Sequence, residues 1–175
     1  MNFFDIDLAI LKFINQPFNN EINFFFIIVV FSVYAYLIYL FYYFYKTKQY
    51  GKLVQLLITS LVGIVFVNIL KYSINKPRPY TVSSEIHTIL RKTDPSFPSA
   101  HTTMSFLSSS FIPSFSSKII NAFLYFYLLF LIPFGSMYIG IHYPSDVLAG
   151  ASIGFFLPRI ISEKFSMKLA NRFLK

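Results

Sequence analysis

The chain has no cysteine, no tryptophan, and only seven acidic residues against fifteen basic ones. Without cysteine there is no disulfide framework and no thiolate to act as nucleophile or ligand. Charge of either sign is scarce: 13% of 175 residues, where soluble domains carry roughly a quarter. What fills the space is apolar, with 23 phenylalanines and 13 tyrosines in a composition that is 55% hydrophobic. So little polar residue cannot clothe a water-facing surface, which points to a single membrane domain over residues 1–175.

Long uncharged runs support this. "INFFFIIVVFSVYAYLIYLFYYFY" and "LVQLLITSLVGIVFVNIL" each have the roughly 20 residues that cross a hydrocarbon core. Spans are expected at about 22–45, 53–71, 101–117, 119–138 and 144–164. The third is rich in serine, which suits a central helix shielded by the others, because backbone in lipid must be paired internally. Residues 1–20 hold Asp5, Asp7 and Lys12 among apolar positions three to four apart, and read as an amphipathic helix in the interface. A secretory leader would be basic first and apolar after, with a small-residue cleavage site; this segment is acidic first and has no such site. The expected fold class is therefore all-α integral membrane: a bundle of five transmembrane helices plus an N-terminal interfacial amphipathic helix.

The net charge of +8 would suit nucleic acid or a lipid surface, and its distribution decides for the membrane. Lys46, Lys48, Lys52, Lys118, Lys164, Lys168, Arg172 and Lys175 fall on one side of these spans. Lys76, Arg78, Arg91 and Lys92 fall on the other, offset by Glu85, Asp94 and Asp146. The excess of basic residues marks the first side as cytoplasmic. The loop 72–100 then faces the periplasm, giving a multi-pass protein of a bacterial inner membrane with no nucleic-acid partner.

The polar features gather at that outer side, in "KYSINKPRP", "PSAH" and "SMYIGIHYPSD". Each has a plain structural reading. Lys71 closes a helix and can snorkel to headgroups. Arg78, stiffened between Pro77 and Pro79, can anchor a lipid headgroup or hold a phosphate bidentately. Ser99 sits where an N-cap belongs, and His101 falls in the first turn behind it. Pro144 suits a first helical position, which makes Asp146 the third residue; it can cap the helix or fix the tautomer of His142. Together, two histidines at two helix starts beside two cations describe a phosphate site. One imidazole would attack and the other donate a proton, with the assignment left open. His87 reads as loop decoration and the four methionines as packing. No cluster has metal-ligand spacing, and no cofactor is implied.

These motifs resemble those of the type 2 phosphatidic acid phosphatase family, the lipid phosphate phosphatases. The family's lysine, six residues, Arg-Pro is matched by Lys71, Arg78 and Pro79. Its Pro-Ser-Gly-His is matched by Pro98, Ser99, Ala100 and His101, and its Ser-Arg, five residues, His, three residues, Asp by Ser136, Met137, His142 and Asp146. The resemblance implies metal-independent hydrolysis of a lipid phosphate through a phosphohistidine on His142. Asp146 would orient His142, and His101 would act as acid and then base. Lys71, Arg78, Ser99 and backbone N–H groups near Ala100 would bind the phosphate. The partners implied are a lipid phosphate and membrane lipids, with no obligate protein partner. Among bacterial relatives the small size is most similar to lipid A 1-phosphatases and phosphatidylglycerophosphate phosphatases. Undecaprenyl pyrophosphate phosphatase is the alternative, as is a non-enzymatic carrier using the same cations, or a transferase differing only in its acceptor. Ala100 replaces a glycine, which is tolerable at negative φ. Met137 replaces an arginine, for which Lys76, Arg91 or Lys92 is expected to compensate; Arg159 lies about 20 Å too deep.

Overall fold

The computed structural model describes residues 3–15, 19–115 and 117–173, and every regular element among them is helical. Residues 1–2 and 16–18 of the expected interfacial segment, and Lys175 of the basic tail, lie outside the described residues. In chain order the helices are α1 (Phe3–Asn15), α2 (Asn20–Lys46), α3 (Tyr50–Ile74), α4 (Pro79–Val82) and α5 (Ala100–Ser109). After these come α6 (Lys118–Phe126), a π-helical segment (Tyr127–Leu131), α7 (Ile132–Tyr138), α8 (Pro144–Ile160) and α9 (Glu163–Phe173).

α2 begins where the Asn19 side chain accepts from the N–H groups of Glu21 and Ile22, at 2.8 and 3.1 Å. Its inward residues Val29, Val33, Leu37, Leu40 and Phe44 recur every three or four positions and pack on Leu56 of α3, Met104 and Leu107 of α5, and Leu128 and Ile132. Its other face is just as apolar: Phe24, Phe25, Ile28 and Ile38 are exposed, as are Leu57, Leu61, Val65 and Ile69 of α3. Helices apolar all round suit a hydrocarbon solvent. Among the described residues three helices are long and apolar enough to cross a membrane, and a fourth if α8 and α9, bent by 66°, count as one broken span.

α5 is the polar centre of the bundle. His101, Thr102, Thr103, Ser105, Ser108 and Ser109 are all buried in it. It is shorter than the expected 101–117, being helical only to Ser109. Pro113 disfavours helix at the residue before it. The Ser108 and Ser109 hydroxyls also turn back onto the carbonyls of Met104 and Phe106, at 2.7 and 2.6 Å, which weakens the last turn.

The helix expected at 119–138 is present but widened at the π segment, and Pro133 gives the reason. Ile132 N–H donates to Tyr127, five residues back, so the Leu128 carbonyl would next need a donor from residue 133. Proline has none. Ser105 of α5 supplies it through its hydroxyl, so a defect in one helix becomes a tie to the central one. The last expected span, 144–164, ends at Ile160. Ser162 then starts α9 in a new direction, its hydroxyl accepting from Phe165 N–H at 3.3 Å.

α5 and α8 approach most closely through Gly150 and Gly154. A Cβ on Gly150 would lie 2.5 Å from the Ser99 carbonyl oxygen, and one on Gly154 would collide with the Thr103 carbonyl. α1 docks across the site end of the bundle. Leu11 packs on Ile86 and Tyr143. Asn15 donates to the carbonyls of Tyr138 and His87, at 2.6 and 3.0 Å, and accepts from His87 N–H at 2.7 Å.

Candidate active site

Two helix starts and the turn before one of them bring both histidines to one cavity. Ser99 caps α5, accepting from Thr102 N–H at 3.4 Å and from the Thr102 hydroxyl at 3.0 Å. That seats His101 in the first turn, 2% exposed, with neither ring nitrogen hydrogen-bonded. Edges of Phe31 and Tyr34 from α2 flank it, at centroid distances of 4.9 and 5.6 Å. Ala100 avoids the left-handed region, which among described non-glycine residues is taken only by Lys48 and Asn75; the family glycine is not needed there. On the other side α7 ends at Tyr138 and the chain turns at Gly140, whose φ of 72° permits the turn and where a Cβ would lie 2.5 Å from the His87 carbonyl. The chain then delivers His142 and enters α8 at Pro144. The rings of His101 and His142 lie 6.4 Å apart, centroid to centroid. Reacting and hydrogen-bonding distances of about 3 Å on either side of one phosphorus sum to about that separation.

The cavity holds about 300 Å³ and is lined by Lys71, Arg78, Lys92, Asp94, His101 and His142, with Tyr34, Ala100 and apolar residues of α3 and α5. Lys71 and Arg78 are each 3% exposed. Buried cations need a counter-charge, and Asp94 gives it to both. Its carboxylate lies 2.9 Å from Lys71 Nζ and 2.8 Å from Arg78 Nη2. Lys71 also donates to the Pro95 carbonyl. Arg78 donates Nε to the Asp94 carbonyl and Nη1 to the Ile141 carbonyl, at 2.9 and 2.7 Å. Burial would raise the Asp94 carboxyl, but Lys71 and Arg78 outweigh it and hold it down to about 2. Burial, helped by Arg78 and opposed by Asp94, lowers the Lys92 ammonium to about 8.

Asp146 is fully buried. Its Oδ2 accepts from Tyr143 N–H at 2.9 Å and from the Ser96 hydroxyl, and lies 3.5 Å from His142 Nδ1. That last distance is long for a hydrogen bond. Oδ2 thus meets the capping reading of Asp146, while His142 Nδ1 makes no hydrogen bond. Burial pushes the His142 ring down, against the pull of Asp146, leaving it neutral near pH 7.

Of the cations expected to compensate for Met137, only Lys92 lines the cavity, with its Nζ 5.1 Å from the Phe31 ring centroid. Lys76 sits behind Asp146, 2.9 Å from its Oδ1. Arg91 is exposed and lies outside the cavity lining. Met137 itself packs against the cluster of Leu11, Ile86 and Tyr143. Arg159 caps the far end of α8, 3.5 Å over the Phe155 ring. Sequence reasoning missed Asp94, Tyr34 and Ser96. For Asp94 a signal existed: two inward cations require an acid, and the outer loop has few.

Two solved structures are similar over most of the chain. The crystal structure of Aquifex aeolicus LpxE superposes with a TM-score of 0.76 at 26% identity, covering 88% of this chain and 93% of that one. The first transmembrane PAP2 type phosphatidylglycerolphosphate phosphatase from Bacillus subtilis superposes at 0.70, covering 94% and 86%; at 19% identity it speaks for the fold alone. No curated protein matches the chain. Both histidines, Lys71, Arg78, Asp94 and Asp146 fall within residues 52–168, which match the PAP2 superfamily, and this chain belongs to that family.

Proposed function

We propose that the protein is a metal-independent lipid phosphatase working through a phosphohistidine on His142. The observation that carries this is the pair of imidazoles 6.4 Å apart on a cavity that also holds Lys71, Arg78 and Lys92. Asp146 faces Nδ1 of His142, which leaves Nε2 as the attacking atom. Its lone pair forms the N–P bond while the ester P–O bond breaks, and His101 protonates the departing oxygen. His101 then takes a proton from water, whose oxygen attacks phosphorus, and the P–N bond breaks to release phosphate and neutral His142. Negative charge spread over the equatorial oxygens is met by Lys71, Arg78, Lys92 and the first N–H groups of α5, the kind of stabilisation on which phosphoryl transfer depends. Ser99 serves as the cap that aims those N–H groups.

The substrate is read as a lipid phosphate presented at the outer leaflet of a bacterial inner membrane, with α1 lying in the interface there. Its exposed Phe3, Ile6, Ile10 and Phe13 form a lipid-ready face. Likeness to LpxE over nearly the whole of both chains favours a lipid A 1-phosphatase-like activity, with phosphatidylglycerophosphate as a further substrate. Undecaprenyl pyrophosphate is the competing one. Lipid A, phosphatidylglycerophosphate and undecaprenyl pyrophosphate, offered to purified protein in one detergent with EDTA, decide among them. Release should persist in EDTA and fall by at least about 10³-fold in His142→Ala and His101→Ala. No release from any lipid phosphate, with binding retained, would make the protein a carrier.

A further inference from the structure

α1 lies outside the family-matched region and brings one buried acid to the site. Asp7 is 4% exposed. Its Oδ1 accepts from Ser145 N–H at 2.8 Å; its Oδ2 accepts from the Ser145 hydroxyl at 2.5 Å and from Lys76 Nζ at 3.0 Å. Lys76 Nζ continues to the Ser145 oxygen at 2.8 Å and to Asp146 Oδ1 at 2.9 Å, and lies 4.0 Å from the Tyr143 ring centroid. The two oxygens of Asp146 therefore have separate duties. Oδ1 is fixed by Lys76, and Oδ2 faces His142.

We propose that Lys76 and Asp7 are positioning residues for the His142–Asp146 pair: Lys76 locks the carboxylate so that Oδ2 meets the ring, and Asp7 holds Lys76 and balances its charge. This rests on the reading of His142 as nucleophile. The balance has a physical purpose. Lys76 alone would neutralise Asp146 and weaken its support for a ring that gains positive character on attacking phosphorus. With Asp7 the three groups sum to one negative charge, as Asp146 would by itself. A phosphate-binding role for Lys76 is the less suited one, since it stands behind Asp146 and does not line the cavity.

The two residues should move the His142 titration in opposite directions. Other charged groups face it from every side: Asp146 of α8, Lys71 of α3, His101 of α5, and Arg78, Lys92 and Asp94 of the outer loop, with Tyr143 behind. All stay in place in the variants below. Removing the Lys76 cation makes a proton on the pair easier to hold; removing the Asp7 anion leaves Lys76 uncompensated and makes it harder.

The chain has three histidines, so ring NMR titration of the full protein in detergent can follow His142 directly, with His142→Gln to assign its signal. Lys76→Met should raise the midpoint and Asp7→Asn should lower it, each by about one pH unit. Lys76→Arg should stay near wild type. In phosphate release from short-chain phosphatidate, Lys76→Met should lower kcat about 10- to 100-fold with little change in KM. Shifts in the same direction, or none with folded protein, overturn the proposal. Should Lys76→Met fail to accumulate, the sign of the Asp7→Asn shift decides alone. A wild-type protein that titrates as stated but releases no phosphate would instead overturn the functional reading.

Discussion

Lys92 is the residue on which the missing arginine turns. Its ammonium is half-buried beside Arg78 and Lys71, and burial with their repulsion brings it to about 8. A lysine lowered in this way is a cation below that pH and neutral above it. If it grips substrate phosphate, kcat/KM in the free enzyme should fall above pH 8 by up to about tenfold per unit, as one required proton is lost. Lys92→Arg keeps its charge at any accessible pH, so it should hold its activity into the alkaline range. Lys92→Met should raise KM below about pH 8, where the wild type carries the charge, and lose the limb. A pH profile of kcat/KM for the three proteins checks this, and an unchanged limb in Lys92→Arg would remove Lys92 from the phosphate site. Arg91, one position away and exposed, supplies the control.

Helices bring these residues together, and the α5–α8 contact matters most. Ser99 N–H donates to the Asp146 carbonyl at 3.0 Å, so the cap of one helix is tied to the first turn of the other. Gly150 makes that approach possible, because any Cβ there meets the Ser99 carbonyl oxygen. Gly150→Val should lower thermal stability in detergent by about 1–3 kcal/mol through overpacking. It should lower kcat further than stability alone implies, since a shift near 1 Å between His101 and His142 can cost about 10²-fold. Leu148→Ala, on the exposed face of the same helix, should do neither. At this scale the sequence was legible wherever local chemistry decided. Ser99 caps one helix and Pro144 starts another, as their positions suggest, and Lys71, Arg78, His101 and His142 line one cavity. It was opaque where a partner decided. Asp94 finds Lys71 only across a folded loop, Asp7 meets Ser145 from 138 positions away, and Lys92 lines the cavity from a different segment than Met137. Pro113 and Pro133 were visible, yet their effects depended on whether neighbouring side chains could take up the freed backbone groups.

Over the whole molecule the site occupies one end of the bundle and the basic hairpin the other. α3 runs from Tyr50, beside Lys46, Lys48 and Lys52, to Lys71 at the cavity, a rise of about 30 Å at 1.5 Å per residue. That is the thickness of a hydrocarbon core, so the hairpin and the proposed phosphate site are expected at opposite faces of the membrane. The lysine-rich face should be cytoplasmic, and the cavity should then open outward. Absence of cysteine lets this be read without background. Ser84 in the outer loop and Glu163 at the start of α9 are both exposed, and replacing an acid does little to the basic bias that sets orientation. A membrane-impermeant maleimide added to intact cells should label Ser84→Cys and spare Glu163→Cys, with both labelled after lysis. Both variants should keep phosphatase activity, which certifies the fold being labelled. The reverse pattern would turn the bundle over, place the cavity at the cytoplasmic leaflet, and change the pool of lipid phosphates that can reach His142.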